Sequence, residues 1–449
     1  MIKNRDEILS FGDVKAKDIA LKILEYAITK ADPYRIVKES VRVEDDEILI
    51  EGKRFELKGD VYVVAIGKAS CPMAKAVEEL LGDRIADGVA ITKYGYSMPL
   101  SKIEVIEAGH PIPDENSVKG AKRAIEIAGK VCEEDVLIVL VSGGGSALFV
   151  MPEDGIDLED KIRTNELLLK SGAKIHEINT VRKHISKVKG GKFVRGVKGT
   201  VLSLIISDVV GDNLEVISSG ITVRDPTTFE DAYRILKLYS IWDEIPESVR
   251  KHIELGMKGL REETLKEDLK NVHNFLICSS KRVCEFALEK ANELGYPAYI
   301  VTSTLEGEAR HAGTVIASIV QEIWRNDRPF KKPSILIFGG ETTVTITGKA
   351  GKGGPNQELA LSSAKKISKL RGCCIASVDT DGTDGPTDVA GGIVDSYSVE
   401  VLEDNGIDVD EYLSSHNAYE ALKVAKGLIY TGATRTNVNS LVIAVILEP

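Results

Sequence analysis

Val61-Tyr62-Val63-Val64-Ala65-Ile66-Gly67-Lys68-Ala69-Ser70 is the stretch that decides the fold. Six consecutive apolar residues, most of them β-branched, read as a strand buried on both faces, and Gly67 ends it. Helical spacing resumes at once over Met73–Leu81, so strand and helix form the first half of a βαβ unit. The same alternation runs outward. Candidate strands at Gly88–Thr92, Ile103–Glu107, Asp135–Val141 and Thr200–Ser207 are interleaved with helices near Ser117–Cys132, Leu158–Ser171 and Ile178–Lys187. Each strand ends in a Gly- or Ser-containing turn, where open α/β sheets hold their ligands.

Beyond Pro226-Thr227-Thr228 a helix over Asp231–Tyr239 leads into the charged stretch Lys258–Lys270, the most linker-like segment. A second α/β series follows. Its strands are expected at Asn274–Cys278, Ala298–Thr302, Ser334–Gly339, Thr342–Thr347, Cys373–Val378 and Ser440–Leu447. Its helices are expected near Lys281–Leu294, Glu308–Arg325 and Gln357–Leu370. The expected fold class is therefore α/β, as two Rossmann-like three-layer α/β/α lobes spanning residues 1–265 and 266–449.

The 449 residues exceed one ordinary core, and 43% hydrophobic with 28% charged content is globular. A net charge of -11 argues against nucleic acid as the main partner, though a basic pocket for a small anion can sit on an acidic protein. The charged start Met1–Glu7 lacks a signal peptide's apolar region, and no apolar run is long enough for a membrane span. Six cysteines without a CxxC pair read as reduced thiols, so a cytoplasmic location is expected. Glutamine occurs only at Gln321 and Gln357 beside abundant Lys and Glu, a bias that fits a hyperthermophile. Because two-fold assemblies are the commonest, a homodimer is the expected assembly.

Two common nucleotide loops are absent. Gly67-Lys68-Ala69-Ser70 lacks the first glycine of a Walker loop, with Tyr62 in its place. In Ser142-Gly143-Gly144-Gly145-Ser146-Ala147-Leu148 the third glycine of a dinucleotide fingerprint falls on Leu148. That cluster, directly after a buried strand, reads instead as a backbone nest for an anion, helped by the Ser142 and Ser146 hydroxyls; a tight turn is the alternative. Lys68 at a strand's carboxyl end is placed to meet a phosphate or carboxylate, or it is a solvated loop lysine. In the basic run His176–Gly191, helical spacing puts Asn179, Arg182 and Ser186 near one face with Lys189 a turn further, as an anion clamp or a solvated face. Asp208 and Asp212 follow another buried strand, as proton acceptor, Mg²⁺ ligands or caps.

In the second half, Gly339-Gly340-Glu341-Thr342-Thr343 runs toward Gly351-Lys352-Gly353-Gly354-Pro355-Asn356-Gln357-Glu358, a candidate phosphate cradle at a helix start. Asp379–Asp388 carries four carboxylates without EF-hand spacing, as a divalent-ion or ribose loop or a solvated acidic turn.

In this order the segments resemble the class II glycerate kinases, a two-domain family whose C-terminal part is the MOFRL domain. The matching stretches are Ile66–Ala69, Gly109–Asp114, Ser142–Leu148, Ile178–Gly191, Ser207–Asp212, Asp225–Phe229, Gly339–Val344, Asp379–Asp388 and Thr436–Asn439, nearly the whole chain. The resemblance implies ATP- and Mg²⁺-dependent phosphorylation of D-glycerate at its 2-hydroxyl, in a cleft between the lobes. It implies Lys68 as catalytic lysine, and the mechanism expected from the residues themselves has Asp208 orient or deprotonate the substrate hydroxyl. Ser142, Gly143, Gly144, Gly145, Ser146, Arg182 and Lys189 would hold the acid. Glu341, Thr342, Gly354, Asn356, Asp381, Asp384 and Asn437 would hold ATP, and Asp208 with Asp212 the metal. The family's GGRNQE arginine is Pro355 here; Arg435, where the family has glycine, is a candidate substitute, and an inactive relic repairable by Pro355→Arg is the competing expectation. Two rival functions are an NAD(P)H-dependent hydroxypyruvate reductase, disfavoured by the broken fingerprint, and a non-catalytic sensor of phosphorylated metabolites.

Overall fold

A computed structural model of the chain describes residues 1–448. They form two compact units: Pro33–Ile277, and a discontinuous unit of Met1–Asp32 with Cys278–Pro449. The expected division at residue 265 is therefore displaced, and the first 32 residues belong with the C-terminal part. The reason is a helix that sequence reading passed over, Val14–Lys30. Its buried Ile19, Ala20, Ile23, Leu24 and Ala27 recur at helical spacing and pack on the second sheet. Asp395 fixes its start, accepting from the Asp13 N–H at 2.8 Å and pairing with Lys17 at 3.1 Å.

The Pro33–Ile277 unit is built on six strands: β1 Val61–Ile66, β2 Ile85–Lys93, β3 Glu104–Ala108, β4 Val136–Val141, β5 Thr200–Ile206 and β6 Val272–Cys278. Their order in the sheet is β3-β2-β1-β4-β5-β6. The first five strands are mutually parallel. Every residue of β1 and β4 is buried, as expected for central strands covered on both faces. A three-stranded antiparallel meander over residues 41–56 precedes β1. Strand order reverses between β1 and β4, which makes the gap beyond their carboxyl ends the ligand position of such sheets.

Four helices, Leu158–Lys170, Ile175–His184, Phe229–Leu238 and Glu247–Met257, share a separate apolar core around Leu168, Val181, Phe229 and Ile253. The expected linker 258–270 has no regular structure but is not a linker. It is laid on this unit as a strap: Leu265 N–H donates to Gly190 at 2.9 Å, and Glu263 meets His184 at 3.0 Å.

The second unit's sheet contains β7 Ala298–Leu305, β8 Ser334–Gly340, β9 Cys373–Asp379, β10 Gly391–Asp395, β11 Leu428–Ile429 and β12 Ser440–Ile446, ordered β7-β8-β12-β9-β10-β11. Only the β7–β8 pair is parallel; the other pairs are antiparallel. The α/β class holds for both units, but this sheet is mixed. β9 returns to β10 through a loop without a helix, a connection open to antiparallel neighbours and not to parallel ones. The strand expected over Thr342–Thr347 is absent. Thr343 makes one bridge to Glu308, and the loop is held by Thr343 N–H donating to Gly307 at 2.9 Å. Among the described residues no helix is long and apolar enough to cross a membrane, and all six cysteines are free thiols.

Candidate active site

The turns after β1 and β4 interlock. Lys68 N–H donates to the Gly143 carbonyl at 2.9 Å, Ala69 N–H to Ser142 Oγ at 3.0 Å, and Ser142 N–H to the Ile66 carbonyl at 2.9 Å. The two turns approach so closely that a Cβ on Gly67 would lie 2.3 Å from Ser142 Oγ. The three consecutive glycines each make room for a named partner. A Cβ at Gly143 would sit 2.0 Å from Asp208 Oδ2, and one at Gly145 would sit 2.2 Å from Ser218 Oγ. Gly144, at φ 90, is approached by the His110 ring and the Lys68 stem, which a Cβ there would meet at 3.1 and 3.3 Å. The cluster thus gathers Lys68, Asp208, His110 and Ser218 around one stretch of backbone.

Beside it opens a cavity of about 190 Å³, lined by His110, Gly144, Ser146 and Ser219 together with Lys161, Asn165, Arg182 and Lys189. That is room for several waters or a small polar molecule. Three basic side chains line it and no carboxylate does. Arg182 Nε donates to Asn165 Oδ1. Lys189, 1% exposed, donates to the carbonyls of Gly145 at 2.7 Å and Ser218 at 3.1 Å, tying the glycine loop to the turn at residues 218–220. Ser146 and Ser219 share a hydrogen bond of 2.9 Å, and Ser219 donates to Asn179 at 3.1 Å.

The electrostatics follow from burial without counter-ions. Burial holds the Arg182 guanidinium down to about 10 and drives the Lys189 ammonium well below the usual lysine range, with Lys161 and Arg182 adding repulsion. Burial, then Lys68 and Lys93, lowers His110 to about 4, so its ring is neutral at physiological pH. Burial raises the Asp208 carboxyl from its ordinary value, with the Lys68 ammonium opposing the shift. A carboxyl raised in this way beside an ammonium is chemically able to accept a proton.

Sequence reading brought Lys68, Ser142–Ser146, Arg182, Lys189 and Asp208 to one place, and the structure assembles them there. It missed Lys161 and Asn165, whose helix carries no glycine or strand signal, while His110 beside Gly109 and Ser219 beside Gly220 lie in segments it noticed without giving those residues a role. The helix bearing Arg182 stops at His184; Ser186 forms a bridge with Pro152 and does not continue the helical face. Asp212 sits in the left-handed region at φ 56, its N–H donating to Val209 at 3.1 Å, in a turn beyond Asp208.

In the second unit the expected cradle at Gly354–Asn356 is already filled. Asp384 accepts from the N–H groups of Asn356 at 3.0 Å and Gln357 at 2.9 Å, and from their side chains at 3.1 and 2.8 Å. A protein carboxylate takes the helix N-terminus where a phosphate was expected. Asn356 is buried and also bonded to Ser377 at 2.6 Å and Ser440 at 2.9 Å. Gly354, Asn356 and Asp384 are therefore framework. Pro355 is the first residue of the Pro355–Ile367 helix, where a missing N–H costs nothing. Around this frame Glu341, Thr342, Asp381 and Asn437 line neighbouring loops. Asn439 donates to Glu341 at 3.0 Å, and Thr434 N–H donates to the Asp381 carbonyl at 3.1 Å, which lays the loop bearing exposed Arg435 on the acidic loop. Burial, then Asp381, Asp384 and Glu341, holds the Asp379 carboxyl well above its usual range.

Residues 19–254 match the model of a domain of unknown function, DUF4147, and residues 334–440 match the MOFRL family. The chain belongs to the DUF4147–MOFRL family. Within it, the chain is 62% identical over 430 residues to a glycerate 2-kinase of Pyrococcus horikoshii, covering 96% of this chain and 97% of that one. The crystal structure of a glycerate kinase from Thermotoga maritima superposes with a TM-score of 0.86 at 44% identity, covering 96% of this chain and 99% of that one. A relative from Agrobacterium vitis, 37% identical over 96% of this chain and 95% of its own, carries hydroxypyruvate reductase in its name.

Proposed function

We propose that this DUF4147–MOFRL protein is an ATP-dependent glycerate 2-kinase, phosphorylating D-glycerate to 2-phosphoglycerate. The observation that carries the reading is the acid-free cavity lined by three basic side chains beside Lys68 and Asp208, in a chain so close to a glycerate 2-kinase. The carboxylate of glycerate meets Arg182 and the Ser146 backbone. Lys68 balances charge on the transferring group, and Asp208 orients and accepts the proton of the 2-hydroxyl. His110, neutral and pressed on Gly144, closes the acid's other side. Phosphoryl transfer asks for little more than this alignment and charge.

For ATP, Glu341, Thr342, Asp381 and Asn437 are the residues that fit in the second unit, with Arg435 as the positive charge that Pro355 does not supply. The crowding of Asp379, Asp381 and Glu341 favours a cation there. Among the described residues no three such donors converge into a protein-only metal cage. That suits Mg²⁺, which keeps waters and phosphate oxygens and takes one or two carboxylates. Bound with ATP, the ion neutralises the phosphates. Asp208, with the Lys68 ammonium acting on it, fits proton transfer better than metal binding.

A reductase reading meets a specific obstacle. The helix start after β1, where a dinucleotide's pyrophosphate sits in such folds, is occupied by Ser142 Oγ and the Gly143 carbonyl. The experiment is a ³¹P NMR time course with ATP, Mg²⁺ and D-glycerate. A growing 2-phosphoglycerate resonance is expected, lost in Lys68→Ala while the variant still melts cooperatively. Intact ATP with wild-type protein overturns the proposal.

A further inference from the structure

Lys161 takes no part in the scheme above, yet it lines the same cavity. It is 7% exposed, on the Leu158–Lys170 helix, and its ammonium points at the end of the Ile175–His184 helix. There it donates to the carbonyls of Arg182 at 3.3 Å and Ile185 at 3.4 Å. Helix carbonyls at a C-terminus attract a cation but do not neutralise it.

Among the described residues no carboxylate pairs with Lys161. Glu153, the acid that acts on it, is already bound to Lys192 at 2.7 Å, and its neighbour Asp160 accepts from Ser248. Facing it are Arg182 and Lys189 in the cavity and Lys192 behind. The imidazoles of His110, His184 and His252 stand on the surrounding segments, the last two bonded to Glu263 and to the His184 carbonyl. Desolvation, then Arg182 and Lys192, brings the Lys161 ammonium down to about 7. His110, at about 4, does not titrate in that window.

We propose that the carboxylate of the acid substrate is the counter-ion this cluster lacks, and that Lys161 takes up a proton from solvent as the acid binds. The step is Lys–NH₂ plus H⁺ giving Lys–NH₃⁺ against the bound carboxylate, with no other bond changed. Lys161 thereby selects the acid over the neutral triol or aldehyde of the same carbon skeleton, neither of which brings a charge to offset protonation. This rests on the glycerate reading of the cavity.

The sign follows from linkage. The acid binds the protonated form, so affinity is complete below pH about 7 and weakens above it, by up to about tenfold per pH unit, until the bound-state pKa is passed.

The test is calorimetric titration of D-glycerate into the full-length protein at pH 8, in HEPES and in Tris, whose different ionisation enthalpies report protons exchanged. Wild type is expected to take up most of one proton at pH 8 and almost none at pH 5.5. Lys161→Met, checked for an intact melt, is expected to bind weakly without uptake; Lys161→Arg is expected to recover affinity without uptake. Absence of uptake by wild type at pH 8, or equal uptake by wild type and Lys161→Met, overturns the proposal. If D-glycerate is phosphorylated but no proton is taken up, this inference alone falls. If it neither binds nor reacts, the kinase reading falls with it.

Discussion

Two glycine-rich stretches in this chain look alike in sequence and end up opposite in chemistry. Ser142–Ser146 is left open beside Lys161, Arg182 and Lys189, with a cavity in front of it. Gly351–Asn356 is closed by its own protein, because Asp384 reaches the helix N-terminus and takes four donors. A glycine loop at a helix start is thus an anion site only where no carboxylate from elsewhere in the fold has claimed it. The difference lies in long-range pairing, not in the loops.

The sharpest way to break the comparison is an alanine in each loop. In Gly143→Ala the new methyl would lie 2.0 Å from Asp208 Oδ2, so kcat should fall by about 1000-fold or more with the fold retained. In Gly353→Ala the nearest atoms stand at 3.4 Å, and steady-state kinetics should be unchanged within about twofold. Equal damage from both would end the distinction. Next comes Arg182→Leu, expected to raise the KM for D-glycerate about 100-fold while leaving ATP binding by calorimetry untouched. Loss of ATP affinity in that variant would place the nucleotide, not the acid, in the cavity.

Asp384→Asn separates framework from site. Replacing a carboxylate that satisfies four buried donors should cost about 1–3 kcal/mol and lower Tm by several degrees. Turnover per folded molecule should change little; a large loss of kcat with an unchanged Tm would return Asp384 to the active site. The smallest effect concerns pH. Asp208 must be ionised to accept a proton, and burial raises its pKa, so kcat/KM should fall on the acid side with a midpoint above the ordinary aspartate value of about 4. A profile flat down to that value would remove Asp208 as the base.

What could be read in the sequence follows the range of the interactions. β1 and β4, with Lys68 and the glycine cluster behind them, are legible because a run of apolar residues and the turn that ends it are local. Lys161 and Asn165 are not, since on an amphipathic helix they read as solvent-facing until the glycine loop is folded over them. The Asp384 cap joins residues 28 positions apart, and nothing in either segment names the other. The Val14–Lys30 helix had a readable apolar spacing, but its partner strands β9 and β12 lie at the far end of the chain. Sequence order alone assigned it to the wrong unit.

The most direct measurement is a crystal structure of the protein with D-glycerate. The acid is expected in the Lys161–Arg182–Lys189 cavity, its carboxylate against Arg182 and Ser146 and its 2-hydroxyl toward Asp208 and Lys68. Glycerate bound at the Gly351–Asn356 loop, with that cavity left to solvent, would contradict it.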